Sequence, residues 1–325
     1  MNAPFQSRPR GLSRWRGREV ICRSGCWADL REHVPLFEMY PFAVDGEATP
    51  NPYLRSIVRM PMGPDEDPIP VGVVSPAYAL AQHRLLGDLC VESLKRLGLF
   101  YDRLRCDLEL TELGEWMALK LYLGDDYSLT PPDGHPLDLR IELFNSVDGS
   151  SRLILGMSWF RLVCSNGLVV RDTLTELADV HDRNLDLSKL DAAIVEGLRL
   201  ANADRARLSK WSGARVRPDR LVEWVDGALA SAWGKKAAAR CLHISLTGAD
   251  AEFVDPFEGG KPSERRLRPT CRVPGADVPA TTAYDIAQSL SWIATSRSNV
   301  EERLAWQTDI PKLIAKLETL LARPR

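Results

Sequence analysis

Between residues 104 and 164 the chain alternates apolar and polar positions with a period of two. In LRCDLEL, Leu104, Cys106, Leu108 and Leu110 alternate with Arg105, Asp107 and Glu109, and EWMALKLYL repeats the pattern with Met117, Leu119, Leu121 and Leu123. LRIELFN does so again with Leu139, Ile141 and Leu143. That period places the two sets on opposite faces of a strand. Asp148-Gly149-Ser150-Ser151 supplies turn residues before a fourth apolar run, RLILGMSWFRLVC. Four strands joined by short polar connections predict an antiparallel meander.

Elsewhere the spacing is helical. Leu85, Leu86, Leu89, Val91, Leu94 and Leu97 recur every three or four residues over 80–97, and Gly98 offers a stop. After Asn166-Gly167, Thr173 with Glu176 makes a capping box that predicts a helix following the last strand. Ser188 with Asp191 precedes a long amphipathic segment through Trp211, and Leu221, Trp224, Val225, Leu229 and Trp233 continue the pattern. Residues 241–279 are richer in Gly and Pro and predict short strands or loops. Thr282/Asp285 and Ser298/Glu301 are further caps, and Ile310, Leu313, Ile314, Leu317, Leu320 and Leu321 form one stripe. The eight prolines of residues 41–76 remove backbone donors, so that stretch predicts an irregular connection with at most short edge strands. The expected fold is α+β: a flexible basic arm over 1–20, an α+β unit over 21–170 around the central antiparallel sheet, and a mainly helical unit over 171–325 packed on it.

Composition is that of a globular protein, with 45% hydrophobic and 26% charged residues among 325. No apolar run follows the N-terminal arginines, and none reaches a membrane-spanning length, so a cytoplasmic location without membrane contact is expected. Seven scattered cysteines read as reduced core residues. Net charge is only −2, but it is segregated. Residues 1–23 hold six arginines and one acid, 205–240 nine basic groups and three acids, and 261–272 five basic groups and one acid. Such segregation suits an anionic partner, although a solvated surface laced with ion pairs is the more common explanation.

Signatures of established chemistry are missing. The five histidines show no zinc-type pairing, and Cys22 and Cys26 have no second pair to complete a metal site. Gly260-Lys261 fails the phosphate-loop pattern because Asp255 and Pro262 occupy required positions. No dinucleotide fingerprint or nucleophile elbow occurs, so no cofactor and no metal are expected. In RARLSKWSGARVRPDR, by contrast, Arg205, Arg207, Lys210, Arg215, Arg217 and Arg220 surround Trp211. That combination can neutralise phosphates and offer a ring for base stacking, although Trp211 equally suits a core.

The run from Leu139 to Val170 resembles the central signature of a phage- and plasmid-associated family catalogued as domain of unknown function 932. Members carry an asparagine-serine-x-aspartate-glycine-serine turn between two strands, then an arginine-valine-cysteine-x-asparagine segment. Asn145, Ser146, Asp148, Gly149 and Ser150 fit the turn; Arg161, Cys164, Asn166 and Gly167 fit the second segment and its exit. Weaker likeness extends to SPAYALAQHRLLGDL around Tyr78 and His83, and to TTAYDIAQSLSWIAT. Val147 stands where members often have histidine. The resemblance implies service in mobile-element DNA processing, and the element order is similar to the core of phage single-strand annealing proteins, which form rings.

Three readings stay open. The first is a non-catalytic binder of single-stranded DNA in recombination or element maintenance. In it Arg14, Arg16, Arg205, Arg207, Lys210, Arg215, Arg217, Arg220, Lys235, Lys236 and Arg240 contact phosphates, Trp211 stacks on a base, and the chain assembles as a homo-oligomer. The second is a module that binds a host or element-encoded protein. The third is an enzyme whose site is built on the 145–167 signature.

Overall fold

The structure, a computed structural model, describes residues 20–43, 49–99, 104–124, 127–131, 134, 136–161, 177–254, 266–273, 276, 279–297 and 300–323. Four consecutive strands form the expected meander: β5 (Cys106–Thr111), β6 (Trp116–Tyr122), β8 (Leu137–Ser146) and β9 (Leu153–Arg161) pair antiparallel in that order. Leu108 lies opposite Leu119, Leu119 opposite Leu143 and Leu143 opposite Leu155, so one face of the sheet is a continuous apolar layer. The alternation read from the sequence fixes this register, since a slip of one residue would turn every leucine outward.

Three strands add to the meander. β1 (Val20–Gly25) pairs with β5, β10 (Leu177–Asp179) with β9, and the two-residue β7 (Ser128–Leu129) with β8. The expected capping box at Thr173 and Glu176, and the residues between Arg161 and Leu177, lie outside the described residues.

The second face of the sheet joins an apolar patch, Trp116, Ala118, Phe144 and Ile154 packed with Leu304, to a polar part largely withdrawn from solvent. Lys120 Nζ meets Glu109 Oε1 at 2.6 Å, Tyr122 donates to Asp107 at 2.7 Å, and Arg140 pairs with Glu142. Arg140 is 6% and Glu142 3% exposed. Each buried charge has an opposite partner, as the cost of desolvation demands.

The proline-rich stretch departs from expectation. Instead of an irregular connection, a second antiparallel sheet forms from β2 (Phe37–Phe42), β3 (Asn51–Arg59) and β4 (Ile69–Val74). The prolines sit where a strand tolerates a missing donor. Pro41 is on the outer strand β2 beside an irregularity of the ladder, and Pro70 is on the outer strand β4 next to the extra residue Val71 that bulges between the paired Pro70 and Gly72. Pro52 falls between the paired Asn51 and Arg55, inside the irregular stretch of β3. Phe37, Ile57, Val74 and Val147 form the buried core of this small sheet.

Helices cover the apolar face of the large sheet. α1 (Trp27–Arg31) and α2 (His83–Arg96) precede the meander, and α2 stops at Gly98, whose φ of +71° favours glycine. α3 (Lys189–Gly213) starts where Ser188 predicts, although the Ser188 hydroxyl bonds Asp186 rather than the helix, and Asp191 reaches across to Ser93 and Arg96. α4 (Pro218–Trp224) runs through a π-helical turn (Val225–Leu229) into α5 (Ala230–Trp233). Gly234 breaks the chain before α6 (Lys235–Thr247). The hairpin β11 (Ala249–Val254) and β12 (Arg266–Arg272) precedes α7 (Ala283–Thr295) and α8 (Val300–Leu321). Thr282 and Asp285 make the predicted capping box of α7; Ser298 lies outside the described residues. One buried apolar cluster joins Trp27, the leucines of the meander, Leu208, Trp224 and Leu317. Burial pushes the Cys90, Cys106 and Cys241 thiols up to about 12, so these are inert packing groups. Among the described residues no helix is long and apolar enough to cross a membrane.

A candidate pocket at the signature turn

The turn between β8 and β9 is heavily cross-braced. Asp148 Oδ1 accepts from Ser150 N (3.0 Å), from the Ser150 hydroxyl and from Trp116 Nε1 (3.1 Å). Ser146 Oγ donates to Ser151 O and accepts from Ser151 N at 2.9 Å. Gly149 holds φ +75°, and a Cβ there would come 3.2 Å from Val74. Gly72 of β4 passes so close that a Cβ would stand 2.7 Å from Asp148 Cα. The asparagine-serine-x-aspartate-glycine-serine pattern is thus a self-capped turn, clamped onto the small sheet.

Residues from distant parts of the chain meet this turn. Tyr78 donates to Ser146 O at 3.1 Å, and its ring stacks on His181 with centroids 5.1 Å apart. His181 and Ala79 exchange two bonds: Ala79 N donates to His181 O and His181 Nδ1 donates to Ala79 O, each at 3.2 Å. Deeper, Asn145 Nδ2 donates to Ala81 O (3.0 Å) and to His83 Nδ1 (2.9 Å), while His83 Nε2 donates to Gly114 O. Burial drives His83 down to about 3 despite the Gly114 bond, so the ring is neutral. Burial also lowers His181 against the opposing effects of the Ala79 bond, Asp179 and Asp148. Val147 is fully buried among Phe37, Ile57 and Val74.

An open pocket of about 350 Å³ lies at this junction, lined by Tyr78, Gly149, Ser150, Ser151, Arg152, Val180 and His181. That volume falls in the range of small-molecule sites. Arg152 is exposed and has no carboxylate partner among the described residues. With Nδ1 committed as a donor, His181 Nε2 is an acceptor, and it is buried without a partner. Sequence reasoning flagged Tyr78 only faintly and missed His181 and Arg152 as site residues. Their contacts span about a hundred residues of chain, which no local pattern carries.

Of the second signature segment, Arg161 ends β9 opposite Leu137, and its side chain is not described. Cys164, Asn166 and Gly167 lie outside the described residues, as do Arg14 and Arg16.

The basic stretch is a different kind of place. Trp211 is 1% exposed and part of the main core, so it has no free ring face for a base; its helical spacing with Leu208 drives it inward. Arg207 pairs with Asp204 (2.8 Å), Lys210 with Glu318 (2.9 Å), Arg217 with Asp219 (3.4 Å), Arg220 with Glu223 (2.8 Å) and Arg240 with Asp250 (2.6 Å). Arg205 is half-buried, donating to Ser128 O with its guanidinium over Trp159. Arg215 touches Thr281, and only Lys235 and Lys236 of the set stand exposed with no partner among the described residues. Comparison of the chain with family models, with curated proteins and with solved structures finds no match.

Proposed function

We propose that this chain is a small-ligand-binding protein, akin to the phage- and plasmid-associated family its signature resembles, with its site at the turn between β8 and β9. The observation that carries the reading is convergence. Three segments far apart in sequence, around Tyr78, Ser150 and His181, line one cavity of ligand size, and an unpaired cation and an unpaired acceptor sit in its wall. The Asn145–His83 and Tyr78–Ser146 bonds hold that wall in place, which is what a preorganised site requires. Among the described residues, the first expectation, a groove for single-stranded DNA, keeps support only from Lys235, Lys236 and Arg215. Carboxylates already compensate most of the remaining basic groups, and the stacking ring is in the core.

Mapping by NMR with a panel of small neutral and charged molecules at about 10 mM tests the reading. Shifts gathered on Tyr78, Ser150, Ser151 and His181 support it, and a panel that leaves those four unmoved removes it. A protein-contact role has one observation in its favour. Tyr40 and Val73 flank Ser56 on the outward face of the small sheet and are 42% and 49% exposed. If that face is a contact surface, Val73→Lys abolishes recovery of a stoichiometric partner without unfolding the protein; unchanged recovery removes the idea.

A further inference from the structure

Resting on the reading of the pocket as a binding site, we infer that its ligand is a small organic anion with a hydroxyl beside the charged group, as in a hydroxy acid or a sugar phosphate. Arg152 binds the anion, and His181 Nε2 accepts from the hydroxyl. Two features of the wall carry this, and the pocket is where they meet.

Arg31, Arg59, Arg96, Arg199, Arg217, Arg220 and Arg268 each lie against a carboxylate, whereas Arg152, at the mouth of a cavity, does not. Arg183, Arg215, Arg272 and Arg323 are likewise exposed without a carboxylate partner among the described residues, but of these only Arg152 lines the pocket. The acids nearest the pocket do not supply its counter-charge. Asp148 is taken up by Trp116 and Ser150, and Asp179 by Lys189 at 3.2 Å and by the Val180 amide. An exposed guanidinium beside a cavity whose acids are otherwise engaged selects a carboxylate or a phosphate.

His181 supplies the second half. It is 8% exposed, its Nδ1 proton is committed to Ala79 O, and its Nε2 lone pair has no donor and almost no solvent. A buried acceptor without a donor costs free energy that an incoming hydroxyl returns. Val180, 45% exposed, and Arg152 line the same pocket as His181. The stack on Tyr78 fixes the plane of the imidazole and so the direction of that lone pair.

Calorimetry with glycerol 3-phosphate, propyl phosphate and glycerol tests the inference on the intact chain. Glycerol 3-phosphate, which has charge and hydroxyl, should bind roughly tenfold more tightly than propyl phosphate, and glycerol should not bind. Arg152→Gln, at an exposed position that does not threaten the fold, should weaken glycerol 3-phosphate by roughly tenfold or more. His181→Phe, which keeps the ring stack, should bring it down to the level of propyl phosphate. Equal binding by wild type and Arg152→Gln, or no binding of either phosphate at about 10 mM, overturns the inference. If neutral molecules still map to the pocket in that case, the ligand class is wrong and the site stands; if nothing maps there, both fall.

Discussion

Two regions rich in polar residues behave in opposite ways. In the basic stretch of α3 to α6, Arg207 and Asp204 or Arg220 and Glu223 are three residues apart on one helix, and the charges cancel locally. At the signature turn the partners are remote: Asn145 meets His83, Tyr78 meets Ser146 and Ala79 meets His181. Local pairing quiets a charged segment, whereas long-range convergence leaves a cavity with unsatisfied groups in its wall. A count of charge per segment ranks the first region above the second; the geometry reverses that order.

The largest expected effect comes from Trp211, which separates a core ring from a binding ring. Trp211→Ala should destabilise the fold by about 3–5 kcal/mol in urea denaturation. A loss below about 1 kcal/mol would mean that the ring is not packed as described. Next is the brace behind the pocket. Asn145→Leu leaves Ala81 O and the neutral His83 ring without their donor, and a cost of about 2–3 kcal/mol is expected. A neutral outcome would reduce Asn145 to a filler.

Acid sharpens the same contrast. Below pH 6.5 the unfolded chain takes up a proton that buried His83 refuses until about pH 3. Its stabilising contribution is therefore complete above pH 6.5 and is lost as pH falls through that window, at a slope approaching about 1.4 kcal/mol per unit. His181, also lowered, adds in the same direction. Urea melts at a series of pH values should show a shallower slope for His83→Gln than for wild type, and equal slopes would contradict the buried neutral ring. Smallest is the exposed pair Arg217–Asp219: Arg217→Ala should change stability by less than about 1 kcal/mol. A larger loss would show that the basic stretch does more than balance its own acids.

The meander was legible because leucines at every second position admit one register, and α2, α7 and the stripe of α8 were legible from spacing and caps. The small sheet was not, because prolines were weighed as breakers without knowing that the outer strands and bulges of a sheet accept them. The burial of the polar face of the large sheet was not legible for a related reason. Arg140 and Glu142 alternate like solvent-facing residues, and only the fold shows that they are covered. Of the pocket, the sequence disclosed the turn chemistry of Asp148-Gly149 but not the company it keeps. His181 carries no flanking pattern, and Arg152 becomes notable only by lining the pocket without an acid beside it.

The prolines of the small sheet also bear on the protein's behaviour at high concentration. Exposed strands rich in Tyr and Val invite foreign strands to zip onto their edges. Here both outer strands carry a proline, and bulges interrupt the ladder on either side of β3, so an incoming strand finds gaps in the row of donors. The sheet can therefore expose Tyr40, Tyr53 and Val73 while resisting growth into larger cross-strand aggregates.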